Sequence, residues 1–266
     1  MSQLEAIILG CGSSGGVPRA NGDWGACDPN EPRNRRRRCS LLVRRGEEPE
    51  ATTVLVDTSP DLRAQVLDAG VKHIDAVLYT HDHADQAHGI DDLRAFAMTA
   101  RRRIPAYMDP VTRQTLERRF HYIFEGEKGY PALCDPWTLP GWGVPWAVEG
   151  KGGPVHVTTF EQEHGPISSV GYRFGGLAYS SDVSELSEAA LNAVRGCEVW
   201  IVDALRMTPH PTHAHLERTL HWIQDVKPER AILTNLHLDM DYRELSAILP
   251  DGVEAAYDGM RVLFSA

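Results

Sequence analysis

What this 266-residue sequence lacks narrows its function before any motif is read. No apolar run approaches membrane-spanning length. No basic stretch followed by a long apolar core opens the chain, so no signal peptide is evident. Cysteine is scarce: five residues, at 11, 27, 39, 134 and 197, none in a Cys-x-x-Cys spacing. An odd, scattered set argues against a disulfide framework and for a reducing compartment. A soluble, cytoplasmic protein without membrane contact is expected. Positive charge is in deficit, 27 Lys and Arg against 37 Asp and Glu, for a net charge of −10. That balance favours solubility and disfavours tight nonspecific binding along nucleic acid, so no stable nucleic-acid partner is expected. Gly10–Gly16, GCGSSGG, lacks the Lys and Ser/Thr ending of a P-loop and does not open a helix. No nucleophile elbow for Ser-His-Asp chemistry is recognisable. The glycines read instead as room for close backbone approach.

What is present is ordinary globular material, 42% hydrophobic and 24% charged. The length suits one domain over residues 1–266, large enough to bury most of its apolar surface without disulfides. Short β-branched runs read as buried strands: Ala6–Leu9, Ser40–Arg44, Thr53–Val56, Ala76–Tyr79, Val155–Phe160, Val170–Phe174, Leu177–Ser180, Val199–Val202, Ala231–Thr234 and Arg261–Phe264. Between them lie helical patterns at Pro60–Ala69, Ile90–Met98, Val111–Tyr122, Ser184–Val194, Ala214–Val226 and Tyr242–Ile248. Ser59 before Pro60 suits a helix cap. Strands broken by helices in both halves imply an α/β fold, two sheets with helices outside: an αββα four-layer sandwich. The stretch from Phe124 to Pro154, rich in Gly, Pro and Trp, reads either as a lid or as a surface loop whose three tryptophans pack on the body.

The chemistry concentrates after the strand run DAVLYT, in His81-Asp82-His83-Ala84-Asp85-Gln86-Ala87-His88. Side chains two apart in extended backbone point the same way, so His81, His83 and Asp85 can converge. Imidazole with carboxylate suits zinc, iron or manganese. Strand ends are where open sheets commonly place ligands. His210, His213 and His215 follow a proline-rich turn, any of them a candidate acid–base group or merely a cap.

THDHAD resembles the His-x-His-x-Asp-His signature of metallo-β-lactamase-fold hydrolases. LGCGSSGGVPR resembles the opening of the branch that contains the phosphoribosyl cyclic phosphate phosphodiesterases and tRNase Z. Further matches are EHGPISSVGYRF, LAYSSDV, VDALR with HPTHAHLE, and ILTNLHLDMD, in the same order. The resemblance implies two divalent metal ions, zinc or manganese. It implies a first site of His81, His83 and His164, and a second of Asp85, bridging Asp182 and His237, with Gln86 or His88 undecided. It places His213 at the catalytic position, with His215 as the second choice and Asp85 orienting the water.

Two departures stand out. Gln86 occupies the place of the signature's final histidine, and Asn235 stands where relatives place a histidine. An amide oxygen at the second position would favour a harder cation such as manganese. Relatives with a structural zinc carry several cysteines around residues 22–32; only Cys27 is present here, so a small buried residue is expected instead. Arg33 and Arg35–Arg38, with Arg101–Arg103, read mainly as solvated faces or edge guards, with one or two available to an anionic substrate. The resemblance implies hydrolysis of a small cyclic phosphate or nucleotide-like phosphodiester. The alternatives are a lactone or thioester hydrolase and a non-catalytic metal or nucleotide binder. No heptad or apolar stripe separates a monomer from a possible homodimer.

Overall fold

The structure, a computed structural model, describes residues 3–266. The first half supplies β1 (Gln3–Gly10), β2 (Ser40–Arg45), β3 (Thr52–Val56), β4 (Ala76–Leu78), β5 (Ile104–Met108) and β6 (Cys134–Thr138). The second supplies β7 (Trp146–Val148), β8 (Val155–His164), β9 (Ile167–Phe174), β10 (Leu177–Ser180), β11 (Val199–Asp203), β12 (Arg230–Thr234) and β13 (Val253–Ala255). The last strand, β14 (Met260–Ser265), returns to the first half. Two seven-stranded sheets result, ordered β14-β1-β2-β3-β4-β5-β6 and β13-β12-β11-β10-β9-β8-β7. In each sheet an antiparallel meander passes into parallel strands: β3, β4, β5 and β6 run parallel, as do β10, β11, β12 and β13.

Period-two alternation sorts the strand side chains between two faces. Ala6, Ile8, Leu41, Val43, Val54 and Val56 face inward and meet Val170, Tyr172, Tyr179 and Ile201 of the other sheet. Ile7, Leu9, Leu42 and Leu55 face outward, under α1 (Leu62–Asp68), α3 (Arg94–Ala100) and α4 (Pro110–Arg119). Ala178, Trp200, Val202 and Leu233 do the same beneath α6 (Glu188–Val194), α7 (Leu216–Val226) and α8 (Tyr242–Ile248). Helix α7 buries Leu216, Thr219, Trp222, Ile223 and Val226, the stripe of an amphipathic helix lying on a sheet. The αββα sandwich is thus the observed fold. No helix among the described residues is long and apolar enough to cross a membrane.

Several boundaries differ from the sequence expectation. The stretch from Phe124 to Pro154 is neither lid nor plain loop: it contains β6 and β7, an edge strand of each sheet, and carries the chain between them. Trp146 packs on Tyr107, with ring centroids 4.4 Å apart, while Trp137 and Trp142 remain exposed. Ser59 does not cap a helix at Pro60. Helix α1 starts at Leu62 after Asp61, and the Ser59 hydroxyl bonds Gln65 Oε1 at 2.8 Å. The reason is next door: Thr58 exchanges backbone bonds with Gln86 and Gly89, 2.8 Å each, which ties this loop to the histidine loop.

Candidate metal centre

The carboxyl-terminal ends of β3, β4, β10, β11 and β12 meet along one margin of the sandwich, joined by the turn that ends β8. Asp57, Asp182 and Asn235 sit there with φ of 62°, 56° and 60°. Left-handed backbone at non-glycine residues is costly and concentrates at functional sites.

His81 and His83 follow β4. His81 is 1% exposed, and its Nδ1 lies 3.0 Å from Thr80 Oγ1, whose own proton goes to Asp57 Oδ2 at 2.8 Å. The hydroxyl therefore accepts from Nδ1–H, which leaves Nε2 as a lone pair. That Nε2 is buried with no protein partner. Burial, with His164 and His83 beside it and against the pull of Asp182, lowers the pKa of His81 to about 3, so the ring is a neutral donor.

His164 closes β8. Its Nδ1 donates to the Thr212 carbonyl at 2.7 Å, so its Nε2 is also a lone pair, 3.4 Å from His83 Nδ1 and 4.0 Å from Asp182 Oδ1. One nitrogen from each of His81, His83 and His164 lies within 4.8 Å of the others. Outer partners that fix the tautomer are what metal-binding imidazoles commonly have. The lone pairs of His81 and His164 are buried and face the exposed His83 ring, and a cation would satisfy all three rings together. The donor set fits a divalent ion of the zinc type, with Asp182 beside it. Burial works against the charge of Asp182, but His81, His213, His164 and the Ser181 hydroxyl outweigh it and hold the carboxyl below its ordinary range.

A family model described as a beta-lactamase superfamily domain matches residues 52–235. The chain belongs to the beta-lactamase superfamily. Within it, the fold is that of the metallo-β-lactamases. A structure described as a new diphosphatase from the PhnP family shares 32% identity and a TM-score of 0.87, covering 98% of this chain and 97% of that one. Zinc-bound PqqB from Methylobacterium extorquens (19% identity, TM-score 0.74, 97% and 99% covered) and the human short-form tRNase Z (15%, 0.65, 97% and 98%) share the fold. Among curated proteins, an octanoyltransferase of Porphyromonas gingivalis is 28% identical over 98% of this chain and 51% of its own length. The chain thus spans about half the length of that curated relative.

Against this superfamily frame, the remaining sequence candidates divide. Asp85, on the short helix α2 (Ala84–Ala87), stands opposite Asp182; burial first, then the charge of Asp182, push its carboxyl up. Gln86 is fully buried, and its Nε2 donates to Asp182 Oδ2 at 2.9 Å and reaches Asp85 Oδ2 at 3.5 Å. His213 joins His164 and Asp182 in a second group, with its Nδ1 2.8 Å from Asp203 Oδ2. Burial opposes its charge, but Asp203, then Asp182 and Asp85, raise its pKa to about 9. His237 is not brought to the cluster: its ring lies between Arg19, at 2.8 Å, and Asp239, at 2.7 Å. His215 stands at the N-cap position of α7 without a side-chain capping bond and lines a separate surface cavity with Met207 and Trp222. His88 is exposed and rests edge-on against Phe120, with ring centroids 5.6 Å apart.

The arginine run is spent on structure. Arg33 lies over Tyr242 and Arg35 over Trp24, while Arg37 and Arg38 pair with Asp68 and Asp61. Arg36 is buried, its guanidinium against Cys27 Sγ, Asn34 Oδ1 and the His237 carbonyl. Cys27 packs with Val17 and Leu238.

Three positioning groups escaped the sequence reading. Asp57 and Thr80 orient His81, as described. Asp203, fully buried at the end of β11, accepts from His213 Nδ1, from Asn235 Nδ2 at 3.3 Å and from Val183 N–H at 3.1 Å. A carboxylate closing a buried apolar strand, as in VWIVD, was the available signal.

Proposed function

We propose that this chain is a metal-dependent hydrolase that cleaves a phosphoester-type bond in a small cyclic phosphate or nucleotide-like phosphodiester. The observation that carries the reading is one juxtaposition. One ring nitrogen from each of His81, His83 and His164 converges beside Asp182, and His213, anchored on Asp203, stands against the same group. The 32% identity to a diphosphatase supports attack at phosphorus and puts a diphosphate in the same substrate class.

His81, His83, His164 and Asp182 are the residues that would hold a divalent cation, which when bound polarises phosphoryl oxygens and makes water more acidic. The chain's own groups supply the rest. Asp203 accepts a hydrogen bond from His213 Nδ1–H, which holds the ring in place, and no protein hydrogen bond among the described residues engages Nε2. From there His213 hydrogen-bonds a phosphoryl oxygen and hands its proton to the departing ester oxygen as the phosphorus–oxygen bond breaks. Asp85 orients the attacking water by accepting its hydrogen bond, and takes the proton the water gives up. Such proton transfer is typically worth ~10²–10⁴ in rate.

Next to His83 lies an open cavity of about 500 Å³, lined by Ala84, His88, Arg119 and Phe120. Its size suits a small ligand. Arg119, braced on the Asp82 carbonyl at 2.5 Å, offers charge to a phosphate, and the Phe120–His88 pair offers a ring face to a base.

Acyl hydrolysis is the second reading, favoured by the curated octanoyltransferase relative. One preparation loaded with zinc or manganese decides between them. Turnover of aryl phosphodiesters, cyclic nucleotides and nucleoside diphosphate esters above thioesters and lactones is expected. The opposite order moves the assignment to acyl chemistry, and bound metal without turnover on either panel leaves a binding protein.

A further inference from the structure

We infer that this chain holds one divalent ion rather than two, because the Gln86 amide nitrogen fills the place of a second cation between Asp85 and Asp182. The inference rests on the metal site of the proposed function and goes beyond it.

A second cation at this margin would need anionic or lone-pair donors left over after the first site is complete. The structure engages Asp182 Oδ2, His213 Nδ1, Asn235 and His237 in other contacts. Asp182 Oδ2 is saturated by Gln86 Nε2 at 2.9 Å and the Ser181 hydroxyl at 2.6 Å. Gln86 presents nitrogen, not oxygen, to this carboxylate: with the amide turned over, its oxygen would face an anionic oxygen at the same distance. The amide N–H₂ group also reaches Asp85 Oδ2 at 3.5 Å. A neutral donor thus sits between the two carboxylates, bonded to Asp182 and close to Asp85. Its far atom, Oε1, is buried without a protein partner.

The other side of the position is closed in the same way. His213 Nδ1 and Asn235 Nδ2 lie 3.2 Å apart, both directed at Asp203 Oδ2. The bond to Asp203 keeps Nδ1 protonated and out of any coordination, which leaves only Nε2, the nitrogen that the proposed reaction uses as a proton donor. Asn235 in left-handed backbone points its amide at Asp203 and so stands as a hydrogen-bond donor, not a metal ligand. His237 is held between Arg19 and Asp239. The donors present therefore do not fit a second ion, whereas those of the first site do.

Metal stoichiometry tests this directly. The full chain is stripped with a chelator, dialysed against excess Zn²⁺ or, separately, Mn²⁺, freed of loose ion and analysed for metal per chain. One equivalent of either ion is expected, and Mn²⁺ bound at that level gives the spectrum of an isolated spin. Two equivalents with a spin-coupled signal overturn the inference and leave the proposed hydrolase standing. No uptake overturns both. The double variant Gln86→His with Asn235→His is expected to take up a second equivalent. A variant that folds, as judged by its melting curve, and stays at one equivalent contradicts the role given to these two side chains.

Discussion

At the scale of single residues, the proposed function separates groups that would hold a cation from groups that would hold a proton. His83→Ala removes a first-site donor and is expected to abolish metal retention together with turnover, read by metal analysis and a phosphodiester assay. His213→Ala is expected to lower kcat by ~10²–10⁴ while metal content stays unchanged. Loss of metal in that variant would make His213 a ligand instead of an acid. Asp203→Asn keeps the shape but removes the charge that Nδ1–H of His213 meets. Partners of this kind are commonly worth ~10–100-fold, so a fall of that size is expected in kcat with KM little changed. His81 and His83 were legible from their spacing after a buried strand run, whereas His164 and Asp182, far away in sequence, were legible only through the resemblance. The fates of Gln86 and His237 were not: both depend on which distant side chain arrives first, Asp182 for one and Arg19 for the other.

At the scale of elements, strand ends and the segments between them carry the machinery, and their anchors are separate from the chemistry. Arg36 fills the space under the loop around Cys27 with bonds to Cys27, Asn34 and His237. Truncating it in Arg36→Ala leaves those acceptors unmet and a void, an effect of about 2 kcal/mol. The melting temperature is expected to fall by several degrees. Asp258, between β13 and β14, accepts from the N–H groups of Cys11 and Arg37, at 3.1 and 2.8 Å, yet burial raises its pKa to about 6. Between the ordinary aspartate pKa and about 6, the unfolded chain has lost this proton while the folded chain retains it. Stability attributable to Asp258 therefore declines as pH rises through that window. Asp258→Asn is expected to flatten this part of the stability–pH curve, measured by denaturant titration at each pH; an unchanged slope would show that the carboxyl titrates normally. Most strands were legible as runs such as AIIL and ATTVLV. The strands β5 and β6 were not, because Pro105 and Pro136 speak against a ladder, and β7 and β13 are three residues long.

At the scale of the molecule, the proposed ion ties the two halves together. His81 and His83 come from the end of β4 in one sheet, while His164 and Asp182 come from β8 and β10 in the other. An ion bound only by the folded chain adds stability by mass action, ~4 kcal/mol at a thousandfold excess over Kd. Chelation is therefore expected to lower the melting temperature, and returning Zn²⁺ to restore it; identical melting curves would show that no such tie exists. The sandwich itself was readable from alternation and from elements recurring in order, since two sheets sharing a core leave helices only the outer faces. Substrate choice was not, because the cavity by His83 brings together side chains near α2 and the α4 end that periodicity places on elements but not beside one another.

Anomalous diffraction from crystals of the zinc-loaded chain tests the central claim most directly. The account predicts a peak within bonding distance of nitrogens of His81, His83 and His164, beside Asp182. A peak elsewhere, or none in a chain folded as described, would contradict it.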